Sequence, residues 1–365
     1  MLFRNPQSPI TNFRFRTQAT WLPCVYYSYL LICWLFCRNI TQLLIVGLLE
    51  ESLEIREAIE ILFIMSEDNQ ADTSCASCGI AECDIIKLKE CDGCDLVRYC
   101  SGDCQQIHKS EHKEACKKRV AEIRDELLFK QPESTHMGDC PICMLPLSVD
   151  PSKFGTYICC SKVVCQGCDH FHQTRQFEER IQRTCPFCRE PVPKTHEEND
   201  KRRMKRVEMN DPVAMRDLGL KKCFEGDYRS AFEYLKKVAV QGDAEAHYQL
   251  SNMYCCGHGV EKDMGKYIHH LEEAAIGGHP GARYNLGCFE WNNNSNTERA
   301  VKYWIIAAAQ GYDKSIKTLM EKFREGYVSK EDLAAALRAH KAAVDATKSP
   351  QREKGEVFYR AMGLM

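Results

Sequence analysis

CASCGIAECDIIKLKECDGCDLVRYCSGDCQQIHKSEHKEAC, residues 75–116, is the stretch on which the fold turns. Its ligand-type residues come in pairs: Cys75-x2-Cys78, Cys91-x2-Cys94, Cys100-x3-Cys104 and His112-x3-Cys116. Seven thiolates and one imidazole complete two tetrahedral zinc sites. A tight turn inside C-x2-C aims both sulfurs at one point. The two wider pairs suit one face of a helix, where residues three or four apart lie side by side. The intervening residues are mostly polar, so metal must supply the folding energy, on the order of 10 kcal/mol or more per site.

A second stretch repeats the theme: Cys140-x2-Cys143, Cys159, Cys160, Cys165-x2-Cys168 and Cys185-x2-Cys188, eight thiolates and so two further sites. The expected load is four Zn²⁺ per chain. The chain has 23 cysteines in 365 residues, and fifteen of them fall in these ligand-type sets. A secreted disulfide framework is the rival reading, but C-x2-C pairs suit one metal far better than two separate disulfides. Ligand thiolates need a reducing compartment, which places these modules in the cytosol or nucleus. A formal net charge of −2 argues against nucleic-acid binding through many phosphate contacts. Cys83 and His108 are bystanders, and His170 and His172 ordinary helix residues, because the tetrahedra are already full.

With Tyr99 before Cys100 and Gln105 after Cys104, the first stretch closely resembles the MYND zinc finger, a module placed at 72–118. The resemblance implies that Cys75, Cys78, Cys100 and Cys104 hold one ion, and Cys91, Cys94, His112 and Cys116 the other. It also implies binding of short proline-containing peptides. Where the family often has a tryptophan, five residues after Cys104, this chain has Lys109.

The second stretch resembles a RING finger over 140–188, within a module placed at 138–193. Lys162 sits where the usual histidine falls. Adjacent Cys159 and Cys160 are similar to the all-cysteine RINGs, which usually have one residue between them. The resemblance implies one ion on Cys140, Cys143, Cys165 and Cys168, and another on Cys159, Cys160, Cys185 and Cys188. It implies docking of a ubiquitin-conjugating enzyme on Ile142 and Pro186, with Phe187 beside, and a thioester steadied by Arg189. The plainer alternative is that Ile142, Pro186 and Phe187 only pack the zinc loops. No residue would be a nucleophile; the contribution is positioning.

Between the modules, 119–137 reads as a linker helix with Val120, Ile123, Leu127 and Leu128 on one face, ended by Pro132. KTHEENDKRRMKR (194–206) reads as a solvated basic linker spanning 194–210, with a nuclear-import signal at Lys201–Arg206 as the alternative. Beyond it the chain repeats. DPVAMRDLG (211–219), DAEAHYQLS (243–251), HPGARYNLG (279–287) and YDKSIKTLM (312–320) align, bringing Ala214, Ala246, Ala282 and Ser315 into register. Such a period, with small residues at fixed places, signals stacked helix pairs over 211–326. These units resemble Sel-like repeats, relatives of the tetratricopeptide repeat. Residues 327–365 read as a capping helix and tail. Cys223, Cys255, Cys256 and Cys288 are expected as buried thiols.

Residues 1–64 fit poorly. TWLPCVYYSYLLICWLFC (20–37) is uncharged and near the lower limit for a membrane span, and apolar character resumes to Leu49. Arg4, Arg14 and Arg16 before it would keep the N-terminus cytosolic and send the thiolates into an oxidising lumen. We therefore read 1–64 as an upstream extension absent from the working protein, the alternative being an anchor of opposite orientation.

The expected fold class is thus small zinc-stabilised α+β modules followed by an all-α solenoid. The expected function is an adaptor that recruits proteins through the MYND-like finger and the repeats and brings ubiquitin transfer to them. The alternative is a non-catalytic scaffold. A methyltransferase finds no support, since no glycine-rich cofactor loop is present.

Overall fold

The computed structural model describes residues 74–293 and 295–363, so the expectations for 1–64, including a span within 20–49, lie outside the described residues. Among the described residues no helix is long and apolar enough to cross a membrane. The chain divides into two compact units, Met1–Cys116 and Lys117–Met365.

In the first unit, β1 (Lys89–Glu90) pairs antiparallel with β2 (Arg98–Tyr99), in the register Lys89 to Tyr99. Helix α1 (Gly102–Phe129) follows. Its turns up to Cys116 belong to this unit and those from Lys117 to the second. The separate linker helix expected over 119–137 is instead the later part of this one element. No proline or glycine interrupts 103–129, so nothing stops the helix between the module and the linker.

The second unit begins with a cysteine-rich module. A 3-10 turn (Pro151–Lys153) leads into β3 (Phe154–Tyr157), which pairs antiparallel with β4 (Lys162–Cys165), and α2 (Gln166–Glu178) follows. Its small core is Leu147, Val164 and the zinc-ligand candidates Cys140, Cys165 and Cys168.

The basic stretch expected as linker is a helix, α3 (His196–Glu208). Thr195 caps it by accepting from the Glu198 amide, and Glu198 reaches back to the Lys194 amide. Its arginines are partnered: Arg202 with the Pro191 carbonyl, Arg203 with Asp200, Arg206 with Asp211.

Helices then come in pairs: α4 (Pro212–Phe224) with α5 (Tyr228–Ala239), α6 (Ala244–Cys256) with α7 (Met264–Ile276), α8 (Pro280–Asn293) with α9 (Thr297–Ala309), and α10 (Asp313–Arg324) with α11 (Lys330–Ala346). The aligned small residues Ala214, Ala246, Ala282 and Ser315 are all buried, which is what lets the paired backbones approach. The first residue of each aligned segment is a helix cap. Asp211 accepts from the Ala214 amide and Asp243 from the Ala246 amide; His279 does the same through Nδ1 to Ala282 at 3.1 Å. At the fourth place Tyr312 makes no such bond. The preceding glycines, Gly242, Gly278 and Gly311, share φ of 83–85°, the left-handed turn that ends one pair and starts the next. Trp304 is buried, while Tyr248, Tyr267 and Trp291 pack at the core edge. Of the four thiols expected to be buried, Cys256 is exposed and Cys223, Cys255 and Cys288 are half-buried. Cys256 sits in the last turn before Gly257, where the helix face leaves the core.

The repeat surface over α7, α8 and α9 is occupied by the chain's own 124–136 segment. Leu128 packs with Leu271, Ala274, Ala275, Ala282, Leu286 and Tyr303. Arg124 bonds Glu272 at 2.6 Å and Glu273 at 3.1 Å, and Arg299 grips both oxygens of Asp125 at 2.6 and 2.9 Å. Arg283, only 1% exposed, donates to the Lys130 carbonyl at 3.3 Å and to Gln310 at 3.2 Å. Burial without a carboxylate partner lowers its pKa to about 10. It sits where the carbonyl end of α1 needs a cation.

The tail expected after the capping helix is a further helix, α12 (Pro350–Ala361), capped by Ser349 and packed on α2. We expect Leu128→Ala to cost about 2–4 kcal/mol in denaturant unfolding of the full chain. Hydrogen exchange should localise the loosening to 117–136. An unchanged midpoint would mean that this helix is not docked.

Candidate metal centres

Three C-x2-C pairs are built alike. The amide of the first cysteine donates five residues ahead: Cys75 to Ile80, Cys140 to Leu145 and Cys185 to Glu190, at 2.8–2.9 Å. The residue after the second cysteine donates back to the first: Gly79 to Cys75, Met144 to Cys140 and Arg189 to Cys185, at 2.8–3.1 Å. That closing residue is left-handed in every case, with φ of 73°, 56° and 60°. Glycine adopts this freely; Met144 and Arg189 hold it at a cost of order 1 kcal/mol or more each. Each loop thus presents two sulfurs and keeps its amides turned toward them.

These loops converge with partners from helices and strands into four clusters. Cys75 and Cys78 meet Cys100 and Cys104; Cys91 and Cys94 meet His112 and Cys116 on α1. Cys140 and Cys143 meet Cys165 and Cys168; Cys159 and Cys160 meet Cys185 and Cys188. Within each group the ligand atoms all lie within 4.8 Å of one another. The pairs interleave along the chain, so each module is cross-braced.

The donor sets fit zinc. A 2.3 Å Zn–S bond in a tetrahedron separates sulfurs by about 3.8 Å. The separations observed are 3.5 Å for Cys78–Cys100 and Cys100–Cys104, 3.9 Å for Cys91–Cys116 and Cys143–Cys165, and 3.6 Å for Cys160–Cys185. The Cys94 sulfur stands 3.1 Å from His112 Nε2. All are far beyond a disulfide bond length.

Electrostatics favour thiolate at selected positions. Burial would raise the Cys75 thiol, but the Cys100, Cys78 and Ser77 amides outweigh it and bring it down to about 6. The Cys165 thiol, with backbone amides against burial, brings Cys140 down to about 4. Cys165 itself is pushed up by the neighbouring Cys140 and by burial. It also caps α2, accepting from the Cys168 amide at 3.4 Å, so the helix N-terminus faces the site. Burial pushes Cys116 up to about 11 and lowers His112, which favours the neutral imidazole a metal requires.

The expected bystanders have other partners. Cys83 accepts from the Ile86 amide at 3.4 Å, and His108 Nδ1 pairs with Tyr99 Oη at 3.0 Å. His170 stacks on Phe358, and His172 Nε2 meets the Thr184 carbonyl at 2.9 Å. A fifth group, His136, Glu245 and His279, also brings three donor atoms together. His279 Nδ1 accepts the Ala282 amide, so the neutral ring carries its proton on Nε2, facing Glu245 at 3.1 Å. That nitrogen has no lone pair for a metal, and the group is a hydrogen-bonded one.

Ile142 is 41% exposed between Cys140 and Cys143, and Arg189 is exposed. Pro186 is half-buried. Phe187 packs into the module core, edge-on to Tyr157 at 6.4 Å. Residues missed by sequence reading surround α2. Asp169 accepts from both Tyr157 and Tyr359, and Arg352 of α12 lies 3.1 Å from the Cys143 sulfur. Sequence separations of up to about two hundred residues left no local pattern to reveal the contacts of α12.

Against known proteins, residues 75–116 match the MYND finger family. This segment is a MYND finger. Its cluster geometry and the family together indicate zinc binding, and the cysteine clusters at 140–188 are consistent with additional zinc fingers. Among solved structures, a Sel1 repeat protein from Oxalobacter formigenes is 25% identical, covering 50% of this chain and 72% of its own, with a TM-score of 0.37. An SLR-fold protective antigen of uropathogenic Escherichia coli is 20% identical over 47% of this chain and 37% of its own, with a TM-score of 0.32. An immunity protein from Pseudomonas aeruginosa is 16% identical over 49% and 67%, with a TM-score of 0.30. No curated protein matches the chain.

Replacing His112 of the MYND segment by alanine is expected to remove at least one equivalent of zinc relative to wild type by elemental analysis. The first module should unfold in the process. Cys83→Ser, by contrast, should leave zinc content unchanged. Equal losses in the two variants would show that the ligand set is misassigned.

Proposed function

We propose that the chain is an adaptor whose second zinc module is a RING-type finger acting as a ubiquitin-protein ligase. A zinc-binding MYND finger joined to a helical-repeat region is already the make-up of a protein-interaction adaptor, since both are generally protein-binding modules. The observation that carries the finer reading is the interleaving of two all-cysteine clusters, with Ile142 left exposed in the first loop. Ile142 and Met144, both exposed on one small loop, offer apolar surface to a partner. In this reading Ile142 and Pro186 dock a ubiquitin-conjugating enzyme, while Phe187 supports Pro186 from the core. Arg189 contacts ubiquitin. No side chain reacts; transfer is accelerated because the thioester is held in one orientation. Four Zn²⁺ hold the two fingers. The MYND finger takes short peptides, and the repeat surface not covered by 124–136 recruits substrate.

Ubiquitin transfer with a panel of conjugating enzymes is the test. Ile142→Ala should weaken docking by about 1–2 kcal/mol and lower transfer roughly tenfold with zinc retained. Arg189→Gly should leave stability equal or higher, because the left-handed strain is relieved. Docking should survive, yet transfer should fall about tenfold. A folded, zinc-loaded wild-type chain that is inert across the panel would make the finger a scaffold element.

A further inference from the structure

Helix α12 lies against the second zinc module far more closely than a trailing helix needs to. A Cβ on Gly167 would stand 2.5 Å from the Arg352 Cα, and one on Gly355 would stand 2.7 Å from the Gly167 Cα. Two glycines thus bring the backbones of α12 and α2 into direct contact. Around that point the side chains interlock. His170 stacks on Phe358 with centroids 4.4 Å apart, and Lys153 pairs with Glu356 at 3.4 Å. Tyr359 donates to Asp169, the same carboxylate that takes the Tyr157 hydroxyl.

At the centre is Arg352. Its Nη2 donates to the Cys143 sulfur at 3.1 Å and to the Leu145 carbonyl at 2.9 Å. Its Nη1 donates to the Pro146 carbonyl at 2.6 Å and to the Thr347 carbonyl at 2.9 Å. Neighbouring Gln351 reaches the Gly167 carbonyl at 3.4 Å and the Cys168 sulfur at 3.8 Å. Two adjacent α12 residues therefore touch two sulfurs of one cluster and the backbone of the loop that presents them.

We propose that α12 is an outer layer of the second zinc module, and that Arg352 is a positioning residue for the ion held by Cys140, Cys143, Cys165 and Cys168. A zinc ion with four thiolates is a dianion. The guanidinium offsets one negative charge, and its N–H draws density from the Cys143 sulfur, making that thiolate less open to protons and electrophiles. Its bonds to Leu145 and Pro146 fix the loop that aims Cys140 and Cys143. Outer-layer partners of this kind are typically worth 10–100-fold in metal affinity. Ile142 stays exposed beside this clasp, so α12 supports the loop without covering it. The inference concerns metal retention and holds whether or not the finger transfers ubiquitin.

The test uses the full, zinc-loaded chain challenged with a chromophoric chelator. In Arg352→Met one ion should leave about tenfold faster or more, with new alkylation confined to Cys140, Cys143, Cys165 and Cys168. Cysteines 75–116 serve as the internal reference. Arg352→Lys should restore part of the retention. In the cobalt-substituted chain, Arg352→Met should move a thiolate-to-metal charge-transfer band to longer wavelength, a change that loss of packing alone does not produce. Gly355→Val should lift the helix and speed release with Arg352 still present. Unchanged release and unchanged bands in the arginine variant would overturn the proposal, as would equal acceleration from both modules. Should the variants not fold, zinc removal from the wild type decides: hydrogen-exchange protection of 350–361 should fall as the Cys140–Cys168 site empties. A helix that stays protected in the metal-free chain would also overturn it.

Discussion

Four sulfurs drawn within bonding reach of one point are a contradiction unless a cation stands among them. As thiolates they repel; as thiols they must share protons unevenly, which is why Cys140 is held low while Cys165 is pushed high. A divalent ion removes the conflict, and nearly everything in the first two modules follows from that. The strands are only two to four residues long, and the core of the second module is largely its own ligands. Left-handed Met144 and Arg189 are tolerated because the loop amides are committed to the sulfur-bearing turns.

The repeats solve the opposite problem with opposite means. They need no ion, because each helix pair buries alanines, leucines and aromatics against the next. Their local grammar is repeated with little change: glycine in the left-handed turn, a capping side chain, two residues, then a small buried residue. His279 shows that grammar being reused. By capping its helix through Nδ1 it commits Nε2 to donate toward Glu245, and one requirement of a helix start decides the chemistry of a buried cluster. Arg299 and Arg283 do the corresponding work for the linker, giving an acidic side chain and a helix carbonyl end the cations they lack.

Much of this was readable in advance because it is local. Ligand spacing marked the pairs, the family resemblances implied how they group, and the register of Ala214, Ala246, Ala282 and Ser315 placed the helix pairs. What escaped was non-local or lay in stretches of mixed composition. The 194–206 segment looked like free linker because its charges dominate the composition, whereas Thr195 and Glu198 already spelled a helix start. The linker was expected as a separate helix because the ligand pattern ends at Cys116, although no proline or glycine breaks the helix over 103–129. The terminal residues looked like a tail because nothing inside 350–361 announces a cysteine cluster some two hundred residues away as a neighbour.

That last failure has a physical lesson. A C-x2-C loop supplies its own two ligands and its own amides, but it does not supply a counter-charge. In a module with almost no surrounding core, the counter-charge must come from whatever segment can be packed close enough, and closeness here required two glycines, Gly167 and Gly355, on facing helices. Once the backbones touch, the first turn of α12 has no freedom to point elsewhere. Ser349 caps it, Gln351 and Arg352 meet the ligand loop, and Glu356 and Tyr359 finish the contact one and two turns later. The C-terminal residues follow the repeats in the chain, yet in the fold they pack against the second cysteine module.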